Sequence, residues 1–155
     1  MRIGQRIKQA RLHRGMTQKE LGMMVGFDEN TADIRIAQYE SSTRTPKTDM
    51  RNKLGAALRI NPQYFYDSDL YSAEDIMFLL FELDSVHKLE LNPFQDGKKT
   101  WVNIHIGYNL VDDFLIEWQK KKKALTTGEL TDHEYTEWIL TWPRSANKPK
   151  NEAKN

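Results

Sequence analysis

Apolar residues recur at steps of three and four along most of the chain, which predicts a mainly helical protein. Ile3, Ile7, Ala10 and Leu12 line one side of a first helix, with Arg6, Lys8, Gln9 and Arg11 on its other sides, and His13-Arg14-Gly15 ends it. Thr17 with Glu20 makes a capping box and starts a second helix, whose apolar face is Leu21 and Met24 and whose exit is Gly26. Phe27 to Ser41 offers Asp28 or Asn30 as caps ahead of Ala32, Ile36 and Tyr39, so a third helix is expected over about 30–41. Two short amphipathic helices joined by a Gly turn have the sequence form of a helix-turn-helix. Met50, Leu54, Ala57 and Leu58 define a fourth helix with Gly55 at a close-packing point. Asn61-Pro62 opens a short fifth, and Tyr64, Phe65 and Tyr66 close the small core.

The second half reads differently. After the turn-rich Asp67 to Tyr71, Ser72 and Asp75 make another capping box on a helix through Leu89. Ile76, Leu79, Leu80, Leu83 and His87 share one face, yet Met77, Phe78 and Phe81 carry apolar surface round most of the cylinder. Such a helix must be covered on more than one side, and a second copy of the chain is the expected cover. Leu89 to Phe94 and Lys99 to Ile106 alternate as two strands of a hairpin over Asp96-Gly97. Asn109 caps a helix striped by Leu110, Val111, Phe114, Leu115, Trp118 and Leu125. Its lysine run, Lys120 to Lys123, suits a solvated helix C-terminus, a DNA contact being the alternative. Thr126-Thr127-Gly128 breaks the chain, and Thr131 with Glu134 starts a last helix striped by Tyr135, Trp138, Ile139 and Trp142, with Pro143 after it. The expected architecture is mainly α: a five-helix domain holding the helix-turn-helix over 1–70 (repressor-like by the resemblance given below), then a small α+β region over 71–143 (helix, β-hairpin, two helices) for dimerisation or interaction. A basic tail over 144–155 is expected to be disordered.

Charge sharpens this division. The 155 residues carry a net charge of +1, but Met1 to Ile60 holds 12 Lys/Arg against 6 Asp/Glu, and Asn61 to Asn155 holds 11 against 16. The basic excess lies with the helix-turn-helix, where phosphate binding needs it. With no cysteine, disulfides and thiolate metal sites are excluded, and the expected setting is cytoplasmic. The longest apolar run, Ile76 to Phe81, falls far short of the ~20 residues of a membrane span.

Ile3-Gly4 before Arg6-Ile7, the Thr17-Gln18 pair, Leu21, Gly26, Ile36, Tyr39-Glu40 and the Arg44-Thr45-Pro46 exit stand in one register. Together, over about residues 3–66, they resemble the Cro/phage-repressor (XRE) type of helix-turn-helix protein. The family pattern has roughly four fewer residues between Gly26 and Tyr39-Glu40, and since a helical turn takes about 3.6 residues, the excess fits one extra turn at the start of the recognition helix. A longer loop between the helices is the alternative.

The resemblance implies that Gln18 holds a DNA phosphate, which the free N–H groups of a helix start favour in any case. On the third helix the residues out of phase with Ile36 and Tyr39 can meet base edges. Arg35 (guanine) and Gln38 (adenine) lead, with Thr31, Asp33, Ile34 and Ala37 behind them; for Arg35 the alternative is a phosphate or an ion pair with Asp33 or Glu40. Thr43, Arg44 and Lys47, in the loop that follows, are candidate phosphate contacts. The expected function is therefore a sequence-specific transcriptional regulator of repressor type that binds double-stranded DNA as a homodimer, without cofactor or metal. The alternative from another class is an antitoxin-like or anti-repressor-like module whose second half holds a partner protein. A ligand pocket at Trp101, Trp118 and Trp138 competes with plain core packing. No enzyme is expected, since His13, His87, His105 and His133 are scattered and no phosphate loop or nucleophile elbow is present.

Overall fold

The computed structural model describes residues 2–66 and 72–143. The turn expected over Asp67 to Tyr71 and the tail from Arg144 lie outside the described residues. In chain order the elements are α1 (Ile3–His13), α2 (Gln18–Met24), α3 (Ala32–Glu40), α4 (Thr48–Leu58), a 3-10 turn (Pro62–Tyr64), α5 (Ala73–His87), β1 (Glu90–Asp96), β2 (Lys99–His105), α6 (Asn109–Thr127) and α7 (Asp132–Thr141). They fall into two units, Met1–Asp69 with Gly128–Asn155, and Leu70–Thr127.

The first unit is built on one apolar cluster: Ile3, Ile7 and Ala10 of α1, Leu21 and Val25 at α2, Ile36 of α3, Leu54 and Leu58 of α4, then Ile60, Phe65 and Leu140. Each large side chain so buried contributes ~1.5–3 kcal/mol. Two expected core positions face solvent instead, Leu12 at 58% and Met24 at 56% exposure. At about 100° per residue, Leu12 falls on the far side of α1 from Ile3, and Val25, one turn after Leu21, takes the place expected of Met24. The expected fifth helix is a single 3-10 turn, with the Asn61 side chain accepting from the Gln63 N–H at 3.0 Å.

The third helix starts at Ala32 and not at residue 30. Asp28 explains this: its carboxylate accepts from the Asn30 N–H at 3.1 Å and its carbonyl from the Thr31 N–H at 2.9 Å. An Asx turn competes with helical bonding and closes Asp28–Thr31 before a helix can start. The residues in excess of the family pattern therefore lengthen the inter-helix loop, and the expected extra helical turn does not form.

The last helix, grouped by the sequence reading with 71–143, packs in the first unit. Leu140 is fully buried in its core. Asn61 donates from its backbone to the Leu140 carbonyl at 3.0 Å and from Nδ2 to the Trp142 carbonyl at 2.8 Å. Glu137 accepts from Arg14 Nη2 at 3.1 Å and lies 2.9 Å from His13 Nε2, and the Arg14 hydrogen bond leads in holding its carboxyl below the usual carboxylate range.

In the second unit Ser72 and Asp75 cap α5 reciprocally, as expected. The strands pair antiparallel with Phe94 opposite Trp101, turning at Gly97 (φ +60°). This register puts Leu91, Pro93, Val102 and Ile104 on one face, and Glu90, Asn92, Phe94, Trp101, Asn103 and His105 on the other. His87 stacks on Tyr108 with ring centroids 5.1 Å apart, and His105 Nε2 lies 3.2 Å from Asp112, so the hairpin meets the start of α6. Among the described residues of this unit no side chain is buried.

Candidate nucleic-acid interface

The helix α3 is fixed at both ends by glycines of the helices beneath it. A Cβ on Gly22 of α2 would run into the Ala32 carbonyl, and one on Gly4 of α1 would come within 2.6 Å of the Glu40 carbonyl oxygen and collide with that of Tyr39. Only a bare Cα lets the backbones approach so closely.

Charge adds a second clamp. The Glu40 carboxylate accepts from Arg11 Nε at 2.6 Å and Nη2 at 3.0 Å, and from Gln18 Nε2 at 2.9 Å. The Arg11 and Glu40 side chains are only 9% and 5% exposed, so this pair ties α1 to α3 out of water, and Gln18 adds α2. Bonding to Glu40 raises the Arg11 pKa against the opposing effect of burial, and the guanidinium stays charged. The start of α2 is held locally: Thr17 Oγ1 accepts from the Glu20 N–H, and Glu20 accepts from the Thr17 N–H, which lowers its pKa.

With Ala32 and Ile36 buried and Tyr39 half-buried beneath, helical geometry turns the opposite face of α3 outward. Ile34, Ala37, Gln38 and Ser41 lie near its centre, and Asp33 and Arg35 lie on its flanks. Thr31, Asp33, Ile34 and Arg35 are exposed, Ala37 and Gln38 half-buried. Ile34 is 54% exposed, an apolar side chain aimed at solvent. The Gln38 Oε1 atom is shut off from solvent and has no hydrogen-bond partner. Leaving such an acceptor unmade costs about 1–3 kcal/mol, a penalty that a ligand turning the amide outward would relieve.

The loop beyond α3 is turned by Ser42 (φ +61°), and its Arg44 N–H bonds the Gln38 carbonyl at 3.1 Å. Pro46 is buried, which leaves Thr43, Arg44 and Lys47 exposed on either side of it. Among the described residues the Arg35, Arg44 and Lys47 side chains enter no ion pair or hydrogen bond. Three others of the expected set are already engaged: Gln18 gives one amide proton to Glu40, Thr31 Oγ1 donates to the Asp28 carbonyl at 3.4 Å, and Thr43 Oγ1 lies 2.8 Å from Ser41 Oγ.

Ile34, a weaker candidate in the sequence, and Ser41, no candidate there, both lie on this outward face. The 100° helical step alone would have placed both opposite Ile36. The Arg11–Glu40 pair had no local signal, as its partners are 29 residues apart. No group of three or more His, Asp or Glu among the described residues could hold a metal ion, and no helix there is long and apolar enough to cross a membrane.

Residues 4–68 match the family model described as a helix-turn-helix domain. Among solved structures, the transcriptional regulator BswR is 32% identical over 56% of this chain and 80% of its own, with a TM-score of 0.41. The restriction-modification controller protein C.AhdI from Aeromonas hydrophila is 26% identical over 41% of this chain and 91% of its own, with a TM-score of 0.37. No curated protein matches the chain.

Proposed function

We propose, on the premise that the chain belongs to the XRE-type helix-turn-helix family through residues 4–68, that it is a sequence-specific transcriptional regulator that lays α3 in the major groove of double-stranded DNA. The observation that carries this reading is the outward face of α3: Ile34, Ala37 and Gln38 flanked by Arg35, on a helix locked to its neighbours by Gly4, Gly22 and the Arg11–Glu40 pair. A rigid helix presenting an unpaired guanidinium, an amide and two apolar side chains has what base edges require: Arg for guanine, Gln for adenine, Ala or Ile for a thymine methyl. Arg44, Lys47 and Thr43, with Gln18 through its remaining amide proton, act on the phosphates and set the register. Thr31 and Asp33 sit where the helix enters the groove, Asp33 able to accept from cytosine.

The protein works as a homodimer through the second unit, and supporting this is that unit's uncovered apolar surface, with Phe78 71%, Phe81 60% and Leu91 63% exposed. The same surface would serve a different protein in an antitoxin-like or anti-repressor-like module. The test is titration of labelled duplexes, selected from a random pool, with the full chain at several salt concentrations. We expect a preferred sequence, bound with an affinity that falls steeply as salt rises. Binding to no duplex at low salt would overturn the proposal.

A further inference from the structure

We propose that Glu29 withholds Lys19 from DNA, so that the lengthened loop between α2 and α3 sets how strongly the protein holds a duplex of any sequence. The inference rests on the DNA-binding reading above. Lys19 comes one helical step of three residues before Gly22, the glycine that meets the Ala32 backbone, which puts it on the side of α2 that faces the start of α3. Gln18 beside it is a phosphate contact in that reading, and Asp33 marks the end of α3 that enters the groove. An ammonium on a long flexible stem at this place is within the reach of a phosphate oxygen.

Glu29 already engages that ammonium. Lys19 Nζ donates to Glu29 Oε1 at 2.8 Å, and the two side chains are 50% and 65% exposed. The hydrogen bond to Glu29 leads in raising the Lys19 pKa, the Glu29 charge adds to it, and Asp33 contributes from the first turn of α3. The same hydrogen bond leads in lowering the Glu29 pKa, so both groups are charged at neutral pH. Glu29 is carried to this place by the turn from Asp28 to Thr31, among the residues in excess of the family pattern. An ammonium neutralised by a carboxylate releases no counterion when DNA binds. If it moved to a phosphate, Glu29 would be left facing the duplex and would take up a cation in its place. On either course the pair adds nothing to phosphate binding.

The test is a salt series on one random-sequence duplex with four full-length proteins: wild type, Glu29→Gln, Lys19→Met and the double variant. An exposed ion pair adds little to stability, so all four should fold alike, which circular dichroism checks. Glu29→Gln should add one phosphate contact, making the loss of affinity from about 50 to 200 mM salt roughly threefold greater than in the wild type. Lys19→Met should leave the wild-type salt dependence as it is, and in the Glu29→Gln background it should abolish the increase. A salt dependence that Glu29→Gln does not steepen would overturn the inference, as would an increase that survives the loss of Lys19. If Lys19→Met alone flattened it, the ammonium would already lie on a phosphate in the wild type, and the inference would fail in the same way. Each of these outcomes leaves DNA binding standing, whereas a wild-type chain that binds no duplex at low salt overturns both.

Discussion

At the scale of single residues, the outward side chains of α3 divide by what they can tell apart. Arg35 is exposed and unpaired, so its guanidinium is available to a guanine edge, and Arg35→Ala should cost ~1–3 kcal/mol on the preferred duplex while flattening sequence preference. Arg44→Ala and Lys47→Ala should weaken every duplex alike and lower the salt slope, as measured by the same titration. If Arg35→Ala lowered affinity for all sequences equally, the residue would be a phosphate contact. Gln38 gives a prediction about the free protein, because its Oε1 is buried without a partner. Gln38→Ala should leave stability in urea unchanged or raise it by up to about 1 kcal/mol; a larger loss would show the amide to be anchored. Local chemistry was readable at this scale. Thr17 with Glu20, Ser72 with Asp75, and Thr131 with Glu134 form the capping boxes their spacing implies. The Arg11 guanidinium was not readable, since nothing within a helical turn of it announces Glu40.

At the scale of elements, the placement of α3 depends on close backbone contact. Gly22→Ala would push a methyl into the Ala32 carbonyl, backbone that can yield only if α3 moves. A loss of ~1–3 kcal/mol is expected, along with weaker binding to all duplexes, because the whole reading face shifts. The seating of α7 depends on Glu137. Its lowered pKa means that the ionised carboxylate stabilises the fold above its ordinary pKa of 4.5, and that this contribution fades as pH falls through the lower folded value. Glu137→Gln should therefore lower the melting temperature at neutral pH and match the wild type once acid has protonated Glu137. An equal deficit at both would show that shape, and not charge, seats the helix. Periodicity found this helix, but the docking site lies more than a hundred residues away in the chain, at Arg14 and His13, and no local pattern encodes it. The start of α3 was misplaced for the opposite reason: a local signal, the Asp28 turn, outweighed the tendency to continue a helix.

Across the molecule, the two units differ in what they bury. The first encloses a core and offers its outward α3 face; in the second no described residue is buried, and Phe78, Phe81 and Leu91 are exposed. A dimer formed through the second unit would present two copies of α3 to DNA, so its preferred site should hold two half-sites about one helical turn apart, ~34–36 Å. The central claim is that the outward face of α3 chooses the sequence. The most direct measurement is parallel selection from one random duplex pool with the full chain and with the Ile34→Ala, Arg35→Ala, Gln38→Ala triple variant, each checked for wild-type mass and helicity. We predict that the wild type enriches a repeated consensus and that the variant enriches none or a different one. The same consensus from both proteins would contradict the account.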